Sequence, residues 1–400
     1  MQLTVTQLLG LPGIDVEDYS ELEHQMILHV EAHSTKSSCP RCLQESSHLH
    51  QNHWHFVRDL NLFEKSIMLK VNRRQFKCHT CQKPFSEELD FMGSRRRYTD
   101  RFAEMVVKQV THSDMHNVGL QYDLTDEEVW SMVQYISKKK VNIDLSNLKR
   151  LGIDEIALRK GHSHYIVVLV DIDQRVPIGF VCSRNYEDIK KVFDSWGLKV
   201  LRQIEEVSID LSGSYRGLIE KVLPDANIIA DRFHVVKIVG DKFNSAIIKA
   251  KKENEALPDS PEKEAVKEAL KNSKYALLKP TCNLTENQKI KLVEVIKVCP
   301  GLAEMHQQKE SFRNIFEEVN DWQTGLNEIL KWVKVAELRF KESVGTINRW
   351  LVEITGYFDN RTTSGVVEGI NNRLKLIKRS GYGFRNFDNF ALRCIIDWHL

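Results

Sequence analysis

Three carboxylates and four thiolates carry most of the chemistry legible in this chain of 400 residues. Asp154 lies inside the apolar run Leu151-Gly152-Ile153-Asp154-Glu155-Ile156-Ala157. Asp210 ends a second such run, Val207-Ser208-Ile209-Asp210. Glu368 lies in the stretch Ser364 to Asn386, SGVVEGINNRLKLIKRSGYGFRN, among amides and cations. A carboxylate on a buried strand loses hydration and needs a compensating partner or ligand. Two acids at strand positions and a third on a helix form the layout of a two-metal phosphoryl-transfer site, because hard divalent ions take oxygen ligands. Two such ions can activate the attacking oxygen and stabilise the leaving one in an in-line displacement. Asp231 is a rival second acid: it also follows a strand, and His234 stands one helical turn later. Glu155 is a weaker candidate, because adjacent strand residues point to opposite faces. Glu353 and Asp359 read as surface acids. No Walker loop, dinucleotide fingerprint or Ser-His-Asp order competes.

The thiolates form two CxxC pairs, Cys39 with Cys42 and Cys78 with Cys81. Each pair can form a tight knuckle, and four thiolates close a tetrahedral structural site for one Zn²⁺. His48, His50, His53 and His55 lie between the pairs, and any one of them is an alternative ligand. Cys182, Cys282, Cys299 and Cys394 are scattered singly and read as core or inert thiols.

These groups need scaffolds of different kinds. The zinc ligands flank the strand-like runs His55–Leu60 and Ser66–Val71, after a first strand over Gln25–Val30, so residues 1–90 read as a zinc-binding β module. Residues 91–146 read as a helix-turn-helix domain: a helix over Arg101–Val110, a short one over Met115–Leu120, and a third opened by the capping box Thr125 to Glu128. Val129, Val133 and Ile136 of the third helix point inward. Ser131, Gln134 and Lys138 point outward, where they can meet base edges and phosphates, and Arg95, Arg96 and Arg97 add a basic lead-in.

From Arg150 the periodicity changes. Strands over Leu151–Ala157, Tyr165–Asp171 and Val176–Cys182 precede alternating helices and strands: a helix over Asn185–Ile204, the Asp210 strand, a helix over Tyr215–Val222 and a strand over Ala226–Ala230. This is an α/β plan with a mixed sheet over residues 147–249. Residues 250–345 read as a helical insertion, and residues 346–400 as the C-terminal part of the catalytic domain. There Val366, Ile370, Leu374 and Ile377 make the apolar stripe of the Glu368 helix, and Glu368, Asn372 and Lys375 share another face. The fold class is therefore multidomain, α+β and α/β.

A hydrophobic fraction of 42% and a charged fraction of 28% are globular values. The net charge of +2 leaves any nucleic-acid binding to local patches. No apolar run of about 18 residues exists to span a membrane. The N-terminus lacks the basic start and apolar core of a signal peptide, so the chain reads as cytoplasmic.

The order of the CxxC pairs, the helical region, GIDE-A-RKGH-Y around Asp154, D-S--Y around Asp210, P-A-I--DRFHV around Asp231 and VEG-NN--K--KR-GYGFRN around Glu368 resembles transposases of the ISL-three family of bacterial insertion sequences. The resemblance spans nearly the whole chain. It implies a ribonuclease-H-like DDE domain behind a zinc module and a helix-turn-helix. It implies cut-and-paste transposition at terminal inverted repeats, with a free 3′-hydroxyl attacking target DNA. By that match Asp154, Asp210 and Glu368 form the catalytic triad and bind Mg²⁺ or Mn²⁺. Relatives carrying an Asp-x-x-His element downstream of the second acid favour Asp210 over Asp231, leaving Asp231 and His234 a supporting pair. Arg159, Lys160, His162, Lys375, Lys378, Arg379 and Arg385 become phosphate contacts, with Asn372 beside them. The expected partner is double-stranded DNA, both element ends and target, bound by a homodimer associated with the bacterial nucleoid. A catalytically inactive DNA-binding regulator is the alternative.

Overall fold

The computed structural model describes residues 4–158, 165–362, 365–384 and 386–400. They divide into two compact units, Met1–Asn142 with Ser380–Tyr382 and Asp388–Leu400, and Ile143–Arg379 with Gly383–Phe387.

In the first unit, four strands form one sheet: β1 (Ile14–Glu21), β2 (Gln25–Ala32), β3 (Trp54–Leu62) and β4 (Lys65–Asn72), in the order β1-β2-β4-β3. Alternation sets the buried face: Ile67, Leu69 and Val71 of β4 point into the core, while their neighbours are half-buried. A separate small sheet of Leu49–Gln51, Gln75–Lys77 and Pro84–Ser86 carries the second cysteine knuckle. Three helices follow: α1 (Asp100–His112), α2 (Met115–Tyr122) and α3 (Asp126–Lys140). Buried Asp59 of β3 ties sheet to helices by accepting from the Thr99 hydroxyl at 2.6 Å and pairing with Arg101. The α2–α3 turn is tight. Asp123 takes a left-handed φ of 55°, and a Cβ on Gly119 would lie 2.7 Å from the Leu124 carbonyl oxygen. Thr125 and Glu128 make the expected reciprocal capping box on α3. The last helix, Phe387–His399, contributes Leu392 and Ile396 to this bundle's core. The segment 346–400, expected to stay together, thus divides between the two units.

The second unit is built on β5 (Arg150–Ala157), β6 (Tyr165–Asp171), β7 (Val176–Val181), β8 (Glu206–Ile209) and β9 (Asn227–Ala230), in the order β7-β6-β5-β8-β9. β7, β6 and β5 run antiparallel; β5, β8 and β9 run parallel. The expected helix over 185–204 is broken: α4 (Tyr186–Trp196) ends where Gly197 adopts a φ of 80°. After α5 (Gly213–Val222) comes the 24-residue α6 (Arg232–Glu255), which buries Val235, Val239, Phe243 and Ile247 as one stripe. The segment 250–345 is helical throughout its described elements and includes α7 (Lys274–Leu278) and α8 (Pro300–Glu318). α9 (Gly365–Ser380) closes the unit. Among the described residues, no helix is long and apolar enough to cross a membrane.

The apolar stripe of α9 differs from the expected one by a residue. Val367, Ile370, Leu374 and Ile377 are buried, and Val366 is only half-buried. Gly152 explains the choice: a Cβ there would lie 2.7 Å from Val367 Cγ2, so the helix packs directly on the β5 backbone. Glu353 is not a surface acid. It is 5% exposed and pairs with Arg216 at 3.0 Å, whereas Asp359 is exposed as expected. Of the scattered cysteines, Cys394 is buried, but Cys182 and Cys282 are exposed rather than core residues.

Candidate active site and zinc centre

The four cysteines converge. Cys39, Cys42, Cys78 and Cys81 place their sulfurs within 4.8 Å of one another, and no histidine joins the group among the described residues. The two knuckles are built alike. Leu43 and Gln82 take left-handed φ values of 61° and 55°, and their N–H groups donate back to the carbonyls of Cys39 and Cys78. The backbone N–H of Arg41 faces Cys39 and holds its thiol down to about 7. Cys81 is pushed up to about 12, first by its hydrogen bond with Cys42. Four crowded sulfurs cannot all ionise without a cation among them, and tetrahedral thiolate ligation of zinc supplies it.

The helical bundle leaves Arg95, Arg97, Gln134 and Lys138 exposed. Two members of the expected DNA-binding set are already engaged. Arg96 donates to the Ser131 hydroxyl at 2.7 Å and stacks 4.9 Å from the Tyr135 ring centroid.

In the second unit, strand register brings the first two acids together. Gly152 of β5 pairs with Ser208 of β8, so Asp154 and Asp210 advance two residues beyond that pair in parallel strands. Asp231 follows the Ile209–Ala230 pair of β8 and β9. All three lie at or toward the carboxyl ends of parallel strands, where open α/β sheets bind ligands. Burial raises the carboxyls of Asp154 and Asp210, and the neighbouring acids Glu155 and Asp231 raise both further. Asp210 Oδ1 is buried and has no hydrogen-bond partner among the described residues.

Asp231 is committed differently. It caps α6: Oδ1 accepts from the Phe233 N–H at 2.9 Å, and Oδ2 lies 2.7 Å from His234 Nδ1. That hydrogen bond raises the His234 imidazole, with Asp154 and Asp210 adding to the effect. Glu155 is held by Arg184 and by the Tyr215 hydroxyl at 2.6 Å.

α9 reaches the strand acids through a residue that the sequence reading passed over. Asn371, 4% exposed, donates from Nδ2 to Asp154 Oδ2 at 2.6 Å, while Asp154 Oδ1 accepts the Glu155 N–H at 2.7 Å. The available signal was an amide set between Val367 and Leu374 on the buried stripe, one turn after Glu368. Buried Glu206 of β8 accepts from Asn360 and Thr362 and fixes the chain just before α9. Glu368 itself is exposed, pairs with no described residue, and lines a cavity beside α6. The structure does not gather Asp154, Asp210 and Glu368 as tightly as the cysteines: among the described residues, the thiols alone form a group of three or more ligands within 4.8 Å. Asn372, Lys375 and Arg379 are exposed, but Lys378 is spent on the Ala157 carbonyl at 2.8 Å. Arg159, Lys160, His162 and Arg385 lie outside the described residues.

Comparison with known proteins identifies this assembly. Residues 35–81 match the zinc finger of transposases IS204, IS1001, IS1096 and IS1165. Residues 87–137 match the helix-turn-helix domain of transposase family ISL3, and residues 151–394 match that family's transposase domain. The chain belongs to transposase family ISL3. This transposase is 27% identical over 369 residues to the transposase for insertion sequence element IS1001 of Bordetella parapertussis, covering 89% of this chain and 87% of that protein. It is 29% identical over 258 residues to the transposase for IS1557 of Mycobacterium tuberculosis, covering 60% and 58% of the two chains. It is thus a DNA-binding transposase with a zinc-binding module, a helix-turn-helix and a mixed α/β domain in that order, and the family's activity is DNA cleavage and strand transfer.

Proposed function

We propose that the second unit is a ribonuclease-H-like DDE domain, and that Asp154, Asp210 and Glu368 form its catalytic triad for cleavage and joining at terminal inverted repeats. One observation carries the reading: two half-buried acids stand on adjacent parallel strands, one of them with a buried oxygen that no described donor reaches, beneath the helix that bears a glutamate unpaired among the described residues. An excess of carboxylate over cation, with His234 facing it, is a donor set that suits divalent cations such as Mg²⁺ or Mn²⁺. When bound, such ions supply activation of the attacking oxygen and charge neutralisation at the leaving one.

The protein's own groups do the rest. Asn371 and the Glu155 N–H fix both oxygens of Asp154, so its orientation does not depend on a ligand. Asp231 holds His234, which lends partial positive charge to a pocket of acids. This division of labour favours Asp210 as the second acid and Asp231 as support. Asn372, Lys375 and Arg379 are the α9 contacts to the DNA backbone, and Arg95, Arg97, Gln134 and Lys138 those of the helix-turn-helix. Two element ends require two active sites, so the working species is a homodimer on DNA.

Asp154→Ala, Asp210→Ala and Glu368→Ala each should abolish strand cleavage of an element-end duplex while leaving its binding intact. Undiminished cleavage by any one removes that residue from the triad. Full cleavage by Asp210→Ala with none by Asp231→Ala would exchange the two assignments.

A further inference from the structure

A cavity of about 610 Å³ lies against α6, with Gly365 and Glu368 in its lining, and the cleavage chemistry gives it no role. Its volume suits a nucleotide-sized ligand. Phe233, which also lines it, leaves 49% of its surface exposed immediately after the buried cap of α6. Val236 and Leu278 add apolar wall. Lys237 places its ammonium 6.0 Å from the Phe233 ring centroid. Neither Lys237 nor Lys274, across the cavity on α7, pairs with a carboxylate among the described residues. The other cations are occupied: Arg232 and Arg313 share Glu317, and Lys309 donates to the Leu277, Leu278 and Lys279 carbonyls. Asn244 makes no side-chain hydrogen bond among the described residues. An open aromatic face, two unpaired ammonium groups and a free amide make a receptor for one unstacked base and its phosphate. Stacking offers the base a face without sequence preference, and the cations hold the backbone.

We propose that this cavity receives a single nucleotide extruded from the DNA beside the bond being cut, with its base on Phe233 and its phosphate between Lys237 and Lys274. The inference rests on Glu368 belonging to the cleavage site, which puts the cavity next to the scissile phosphodiester. Extrusion costs the nucleotide its stacking in the duplex, and the ring replaces that stacking. The pocket therefore selects for ends whose terminal pairs open easily.

The test uses the full-length transposase with EDTA and a duplex carrying the inverted repeat that flanks its coding sequence. 2-Aminopurine replaces one base at a time on either side of the cut. The wild type should change the emission several-fold at one position, and Phe233→Leu and Lys237→Ala should return that position toward the free-duplex value. With Mg²⁺ restored, Phe233→Leu should cleave the paired duplex roughly 5- to 160-fold more slowly, the range that loss of base–aromatic stacking gives. A mismatch at the responsive position should recover most of that loss. No responsive position, or one that responds identically in both variants, overturns the proposal. The fluorescence is read without divalent ions and so is independent of the triad: a responsive base together with undiminished cleavage by Glu368→Ala would fault the catalytic assignment and not the pocket.

Discussion

Asp210 holds a buried carboxylate oxygen that no described donor satisfies, in a pocket where Asp154, Asp231 and Glu155 add to its charge. Such an arrangement weakens the ion-free protein, and the proposed divalent cation would relieve it. Asp210→Asn relieves the repulsion and should raise the melting temperature of the EDTA-treated transposase at neutral pH by about 2–4 °C for each ~1 kcal/mol relieved. Its cleavage should be lost, and added Mg²⁺ should stabilise the wild type but not the variant. An unchanged or lowered melting temperature without ions would mean that Asp210 is satisfied by groups other than a metal. The acids themselves were legible in the sequence because charge inside an apolar strand is conspicuous. Asn371 was not: Asn371 and Asn372 are adjacent, and periodicity alone assigned the second to the functional face. What separates them is the phase of α9, and that phase is set by contact with β5, which lies more than two hundred residues earlier.

At the scale of elements, that contact has a single fulcrum. Gly152 lets Val367 sit on the β5 backbone, and Asn371 then reaches Asp154 from the next turn. Gly152→Ala places its Cβ about 2.7 Å from Val367 Cγ2 and should destabilise by ~1–3 kcal/mol, as overpacking does. Val367→Ala costs stability alone, yet in the double variant it should return both stability and cleavage toward wild type. Additive losses in that cycle would show that the two residues do not meet. α8 contributes a pH response of its own. His306 is buried beside Phe243, and burial drops its imidazole to about 4. The unfolded chain protonates it near 6.5, so the unfolded state binds more protons between those values. Stability should therefore fall as pH drops through 6.5, levelling below about 4, by on the order of 3 kcal/mol. The difference between wild type and His306→Leu in urea titrations across this window isolates the effect, and a pH-independent difference would refute it. The strands were readable because their apolar runs are short and bounded by turns. The break at Gly197 was hidden, since a lone glycine in a helical pattern is also compatible with an unbroken helix.

At the scale of the whole molecule, the order of modules was carried by local signals: paired CxxC knuckles, a capping box, and a switch from helical to strand periodicity. The destination of the last helix was not, because Leu392 and Ile396 would suit any apolar groove, and only the packed bundle around Phe102, Val106 and Val133 shows where they go. A chain with a net charge of +2 cannot hold DNA by bulk attraction, so recognition must come from modules kept in shape. The zinc centre is one such device: its core consists of Cys39, Cys78, Phe76 and Phe85, too few side chains to persist without an ion. The purified transposase should contain one zinc per chain. Cys78→Ser should lose it and weaken binding to the inverted-repeat duplex, because the zinc-free module unfolds. Mn²⁺-dependent nicking of DNA lacking the repeat should survive, because the candidate triad belongs to the second compact unit. Metal analysis, gel-shift titration and a nicking assay on the same preparation check the three outcomes together. Retained repeat binding by the zinc-free variant would assign end recognition to the helix-turn-helix alone and leave the zinc module a purely structural part.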